Sequence, residues 1–439
     1  MLKPNFKYLV MVMAMFTFTV LVNAQNKKSA HKAKSDSILI KGNKHGVNNM
    51  MLNASSETEP RFINVGLPEA TGGTVVTENG MNVTNDVNML QTKKAWRQDG
   101  SAMAPQSWNL STTAIKIGDV GVSLATTTRT GQDNFAGTFN YKTNSFGLIN
   151  GNMSISGPIK KGWYYSVNAF LYFNPGTTRC NFTQFLDRTQ SYKGVLTKRF
   201  RNGEINFMYG YMETKYINDN FSPYIFHKGK QVTAINGFKI GRDSYLSNSA
   251  IFHVLDPMTG NYQDINLMDD TGTKIHTIGI WGNNKLANGF KLNYTLRYNH
   301  ANVGNNQFAY FAISNTKNLS ATQRYIYAGN SNSQVYTGLV QATTLNWSKD
   351  VPYDNLQMRV ELSKKLNKHN WCLGYNSSYL NIDNYNSGSI QLLQTATSNP
   401  ETLIFQKHVN GTWTNAKADN YGFFNYNGSL FYYDGQEYK

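Results

Sequence analysis

Over ten residues, "FKLNYTLRYN", the chain sorts itself into two sets. Phe290, Leu292, Tyr294, Leu296 and Tyr298 alternate with Lys291, Asn293, Thr295, Arg297 and Asn299. A two-residue period of this regularity is that of a β-strand, because successive side chains of an extended backbone point to opposite sides. A helix drawn through the same residues would mix the two sets on every face. The strand therefore has an apolar side and a polar side, and the fold must supply a different environment for each.

The same period recurs beyond Asn134. It predicts strand one at Phe135 to Lys142, with Phe135, Gly137, Phe139 and Tyr141 on one side, and strand two at Ile149 to Ser156. Strand three aligns Trp163, Tyr165, Val167, Ala169, Leu171 and Phe173. A weaker strand four lies near Tyr192 to Phe200, strand five runs from Ile205 to Thr214, and strand six is near Ile275 to Trp281. Strand seven is the stretch from Phe290, and strand eight aligns Leu356, Met358, Val360 and Leu362. Strand nine runs from Trp371 to about Ile382, and strand ten places Phe424, Tyr426, Leu430 and Tyr432 on one side.

The connections separate the possible environments. "PIKKG", "RNGE", "NNKLANG" and "NKHN" are tight turns, and they alternate with the long polar segments Asn174 to Ser191, Lys215 to Lys274, Gly304 to Tyr353 and Asn384 to Asp419. All tight turns thus fall at one end of the sheet and all long loops at the other. Outer-membrane barrels have this asymmetry. A soluble sandwich has no reason to segregate its loops, and long structureless loops are uncommon in compact soluble domains. On this basis Phe290, Leu292 and Tyr294 face lipid, and Lys291, Thr295 and Arg297 face a wet lumen. The composition agrees: 15% charged residues, 27 Tyr and 24 Phe suit strands that meet a membrane, and no apolar run after the N-terminus is long enough for a membrane helix. The two cysteines, Cys180 and Cys372, are too far apart for a CxxC site and are expected to be free thiols.

At the N-terminus, Lys3 and Lys7 precede an uncharged apolar run from Tyr8 to Val22, and "VNA" ends at Ala24. This is the pattern of an export signal cut between Ala24 and Gln25. The run is shorter than the roughly 20 residues that span a bilayer. Residues 25–44 are polar and basic with no periodicity, so they are expected to form a disordered tail. Although the formal net charge is +16, an exported chain is not expected to bind nucleic acid.

Three stretches carry a family resemblance. "GNMSISGPIKKGWYYSVNAFLYFNPG", Gly151 to Gly176, resembles the early barrel of TonB-dependent outer-membrane receptors, where a strand ends at Gly-Pro-Ile and a basic turn starts an aromatic strand. "RFINVGLPEATGGTVVTENGMNVT", Arg61 to Thr84, is similar to the part of their plug domain that closes in an Asp-Gly or Asn-Gly turn, here Asn79 and Gly80. "AIKIGDVGVSLATTTRTG", Ala114 to Gly131, resembles the last plug strands leading into the barrel. The resemblance implies a 22-strand barrel closed around a plug in the cell outer membrane. It also implies import of a scarce nutrient, such as a metal chelate, a vitamin or a glycan, driven by the TonB-ExbB-ExbD system. Lipid, the nutrient ligand and a surface lipoprotein are the further partners implied.

No TonB box is recognisable between Gln25 and Arg61, and the front of the plug is short. With about ten strands rather than 22, the chain is expected to be the first part of such a receptor. The expected fold class is therefore all-β: an antiparallel transmembrane β-barrel, incomplete, with a small N-terminal plug domain. The expected domains are a signal peptide (1–24), the basic tail (25–44), a plug-like domain (45–130) and the N-terminal part of a barrel (131–439). A passive outer-membrane porin or structural barrel, or a secreted β-sheet binding protein, are the alternative functions.

Enzyme motifs are missing: there is no GxSxG, P-loop, HExxH or GxGxxG after a strand. No catalytic residue, cofactor or metal is expected. "MDDTG" and "NIDNYNSG" are rich in oxygen donors but lack EF-hand spacing, and Asn and Asp in loops are ordinarily turn formers. Ligand contacts are expected in two places. The loop after strand five crowds Tyr216, Phe221, Tyr224, Phe226 and Tyr245, and loop aromatics favour binding. The lumen side carries Lys142, Lys291, Arg297 and Arg359, whose summed field would favour an anionic ligand. Glu361 beside Arg359 shows that such charges can pair with one another, and a salt-bridge network between wall and plug is the alternative use of them.

Overall fold

The computed structural model describes residues 75–431 apart from 84–95, 98, 104–105, 109, 118–122, 178–179, 218–223, 230, 236, 244–249, 256–261, 267, 269–271, 329–333, 383–386, 398, 416–423 and 427–428. The expected signal, the expected Ala24–Gln25 cleavage pair, the expected basic tail, Phe221 and Tyr245 lie outside the described residues. The rest is nearly all β, as the sequence period predicts. No helix among the described residues is long and apolar enough to cross a membrane.

The first four strands, β1 (Val75–Glu78), β2 (Met81–Asn82), β3 (Gln106–Trp108) and β4 (Ser123–Thr126), form a small sheet in the order β2-β1-β4-β3, with helix α1 (Leu110–Ile117) between β3 and β4. β1 and β4 pair in parallel, whereas the antiparallel expectation concerned the wall. Val76, Val83, Trp96 and Leu124 make its core. The β1–β2 hairpin turns at Asn79 and Gly80, both at positive φ (54° and 80°). That backbone is the type I′ geometry that Asn-Gly favours.

A 14-stranded sheet follows. Its first strands are β5 (Ala136–Lys142), β6 (Ile149–Pro158), β7 (Trp163–Asn174), β8 (Asp187–Phe200) and β9 (Gly203–Tyr216), each antiparallel to the next. Two hairpins then intervene outside the sheet, β10 (Tyr224–Phe226) with β11 (Val232–Ala234) and β12 (Ile251–Leu255) with β13 (Tyr262–Asn266). The sheet resumes with β14 (Gly272–Lys285) and β15 (Phe290–Asn315). After β16 (Gln323–Tyr327) and β17 (Val335–Tyr336) come β18 (Leu339–Leu366) and β19 (His369–Ile382). β9, β14, β15, β18 and β19 pair successively, all antiparallel.

Two predicted loops are strand instead. Gly304 to Tyr353 holds the far halves of β15 and β18, and Asn384 to Asp419 holds β20 (Ser387–Thr395), β21 (Thr402–Val409) and β22 (Thr412–Asn415). In "GNNQFAYFAISN" and "LVQATTLNWSKD" polar and apolar residues are mixed on both sides, so the two-residue period fails where the backbone is still extended. Consequently β18 has two partners on one edge: Val340 to Ser348 pair with β20, and Tyr353 to Leu366 pair with β19. The register slips between these halves, and Asp350 there has φ 48°. Such a bulge bends a strand and re-aims it. Predicted strand ten is also corrected. Its residues form two short strands, β23 (Phe424–Tyr426) and β24 (Ser429–Phe431), which pair antiparallel with each other, and Tyr432 lies outside the described residues.

The two sides of the wall have the reverse of a water-soluble polarity. On one side Ser166, Asn168, Thr189, Thr197, Asn206, Thr214 and Asn299 are buried. On the other side Tyr209, Leu196, Ile278, Leu296, Leu356, Met358 and Tyr375 are exposed. Both sets follow the predicted alternation. The polar side is not uniform, because Met212, Ile275, Ala301, Val303, Val351 and Tyr353 form a buried apolar cluster at its long-loop end.

Candidate functional site

The small sheet sits against the polar side of the wall, and its seat is the most concentrated charged site among the described residues. Glu78 ends β1 one residue before the Asn-Gly turn, and its side chain is 0% exposed. Around it stand Lys193 of β8 (3.0 Å), Arg297 of β15 (3.1 Å), Thr128 Oγ1 (2.9 Å) and Trp96 Nε1 (3.0 Å), each donating to a carboxylate oxygen. Burial alone would push the Glu78 carboxyl up. Lys193 and Arg297 overcome that and hold it at about 2, against an ordinary 4.5. Lys193 also lies 3.5 Å from Asp99.

The rest of the hairpin is gripped by its backbone. Thr295 donates to the Asn79 carbonyl (3.0 Å), Arg359 to Gly80 O (3.3 Å) and Gln357 Nε2 to Asn82 O (3.0 Å). A second grip lies on β6 and β8. Arg97 Nη2 donates to both Asp187 oxygens (2.8 and 2.9 Å), and Gly100 N donates to Asn152 Oδ1 (2.8 Å). Asp99 accepts from Ser101 and from Ser191. Each wall contributor belongs to the inward set of its strand, so the period that makes the sheet also aims these groups at the small sheet.

Gly80 fits this seat closely. A Cβ there would stand 2.9 Å from Arg359 Nη1, on a backbone that L side chains rarely adopt. Gly80→Val is therefore expected to cost about 1–2 kcal/mol from the left-handed backbone alone, and the displaced Arg359 adds to it. Faster cleavage near residues 79–82 in limited proteolysis is the check, and an unchanged rate would contradict the tight seat.

The sequence-predicted ligand residues do not converge. Arg297 is committed to Glu78, and Arg359 to Glu361 (2.9 Å) and Gly80. The wet lumen expected at Thr295 and Arg297 is occupied by the hairpin. Lys291 is exposed at the tight-turn end of β15, whereas Lys142 is exposed at the long-loop end of β5. The four cations therefore form no common anion site. Among the loop aromatics, Tyr224 and Phe226 are exposed on the β10–β11 hairpin, and Tyr216 is half-buried at the end of β9. Part of that loop packs against other elements: Ile235 and Phe238 are buried with Ala396, just after β20, and Leu339, at the start of β18. Glu78, Asp99, Arg97, Asp187 and Lys193 were not singled out from sequence. A usable signal was the inward parity of Asp187, Thr189, Ser191 and Lys193, hidden because predicted strand four started only at Tyr192.

No protein-family model matches the chain, and no curated protein matches it. Solved structures do. It is similar to the ferripyoverdine receptor of the outer membrane of Pseudomonas aeruginosa (11% identity, TM-score 0.40, 84% of this chain and 41% of that one). It is similar also to the ferric yersiniabactin uptake receptor FyuA of Yersinia pestis (11%, 0.32, 76% and 55%). The siderophore receptor PiuA of Acinetobacter baumannii is a third (8%, 0.29, 65% and 51%). The chain spans about two fifths of the length of the first of these.

Proposed function

We propose that the chain is the plug and the N-terminal part of the barrel of a TonB-dependent outer-membrane receptor that imports a scarce nutrient. The observation that carries this reading is the polarity of the wall, polar and buried on the side of the small sheet and apolar and exposed on the other. From the Phe290 rim to His300 is ten residues of β15, about 34 Å along the strand and about 25 Å after the usual tilt, which is the height of a bilayer's apolar band. The small sheet seated on the polar side supports an importer over an open porin, since it occupies the space a passive pore would leave free. On this reading residues 45–130 are the plug, the TonB-ExbB-ExbD system is the energy source, and a surface lipoprotein is a partner.

An anionic ligand is no part of the proposal, because Arg297 and Arg359 are already neutralised. Recognition is assigned to the exposed Tyr224 and Phe226. Nutrient uptake by the full-length receptor should fall when both are replaced by Ala, and unchanged uptake would remove them from the site. For the fold itself, cell fractionation is the test: the chain should appear only in the detergent-extracted membrane fraction. Recovery in detergent-free periplasm or medium would overturn the reading.

A further inference from the structure

The four tight turns share a chemistry that the import reading does not use. "PIKKG", "KRFRNGE", "KLANGFK" and "KKLNKHN" hold ten lysines and arginines against one acid, Glu204. That acid is paired with Arg199, which Asp133 also holds at 2.7 Å. Each turn also presents one large apolar side chain to solvent: Ile159, Phe200, Leu286 and Leu366, between 45% and 53% exposed. Phe200 and Leu366 belong to the outward sets of β8 and β18, and Ile159 and Leu286 come one residue after the ends of β6 and β14.

Two of the lysines are built into matching clusters on that outward side. The Lys198 ammonium lies over the rings of Trp163 (5.2 Å) and Phe200 (5.9 Å). The Lys364 ammonium lies over Phe290 (4.6 Å), whose ring meets Trp371 edge-on at 6.1 Å. Rings at the edge of an apolar band sit at the membrane interface, and a lysine stem lying along them lifts its charge to the headgroup level. Among these turns the positive charge is almost unopposed, so the complementary surface is anionic.

We propose that the tight-turn rim docks on anionic phospholipid headgroups, with the Lys198–Trp163–Phe200 and Lys364–Phe290–Trp371 clusters as two headgroup sites. The proposal rests on the outward side facing lipid. Vesicle flotation of the detergent-refolded chain tests both, using phosphatidylcholine with and without phosphatidylglycerol. Phosphatidylglycerol should raise partitioning. Lys198→Gln with Lys364→Gln should lower that gain by roughly fivefold per lysine, leave partitioning into phosphatidylcholine alone unchanged, and be rescued by arginine at both positions. Lys142→Gln with Lys317→Gln, away from the tight turns, should have no such effect.

Equal partitioning into the two vesicle types would overturn the proposal while leaving the barrel reading intact. Failure to enter either vesicle would overturn both. Inorganic phosphate displacing the chain more than chloride at equal ionic strength would make the clusters simple phosphate sites and so overturn the lipid assignment.

Discussion

Replacing Glu78 by Gln is expected to destabilise the protein by about 3–5 kcal/mol, the usual cost of leaving buried charge without its partner. The variant takes the carboxylate from Arg297 and leaves Lys193 only Asp99, at 3.5 Å. Thermal unfolding of the refolded chain in detergent measures the loss. Adding Arg297→Met to the Glu78→Gln variant should recover much of it, because Lys193 keeps Asp99 as its partner and no cation is then left without a carboxylate. A loss below about 1 kcal/mol, as for exposed ion pairs, would show that the seat is wet.

The same carboxylate gives the seat an acid limit. Its folded pKa lies below the ordinary 4.5, so its contribution is fully present above pH 4.5 and is lost as the pH falls through about 2. Over that window the wild type should lose about 3 kcal/mol, by the conversion of a pKa difference to free energy. Glu78→Gln should lack this component. A wild-type stability flat between pH 4.5 and 2 would contradict the assignment.

The second large effect concerns Leu296, 39% exposed in the middle of the outward side of β15. Were that side in water, Leu296→Arg would be neutral or would improve solubility. In lipid, an arginine near the bilayer midplane costs about 2–4 kcal/mol. Unfolding titrations in phospholipid vesicles should show that loss, and the same substitution at Leu286, 45% exposed at the tight-turn rim, should cost little. An unaffected Leu296→Arg variant would place the apolar side in water after all.

Nine wall strands were legible because one side carries mostly apolar side chains and the other mostly polar ones. Under those conditions Phe290 to Asn299 or Leu356 to Ser363 cannot slip by one residue without reversing every side chain. The far halves of β15 and β18 lack that contrast, and their extension was missed. The Asn79–Gly80 turn was readable because its backbone needs those residue types. The charged seat was not, since Glu78 finds Lys193 and Arg297 across 115 and 219 residues of chain, and no local spacing encodes such a meeting. Arg297 and Arg359 were noticed as charges, but their use depends on what fills the space before them.

The forked strand has a mechanical consequence. β18 pairs with β20, and through it β21, along its first half and, through Gln357 and Arg359, holds the tip of the small sheet with its second. Between Ser348 and Gln357 lie nine residue steps, about 30 Å of backbone that resists stretching far more than bending. β15 runs alongside for nearly its whole length and contributes Thr295 and Arg297 to the same grip. On the importer reading, a tug on the hairpin from the periplasmic side would thus load a two-stranded tie-rod that ends at β20. Faster amide exchange at Val340–Ser348 under such a load would register the transmitted pull, and unchanged exchange there would mean that the bulge at Asp350 absorbs it.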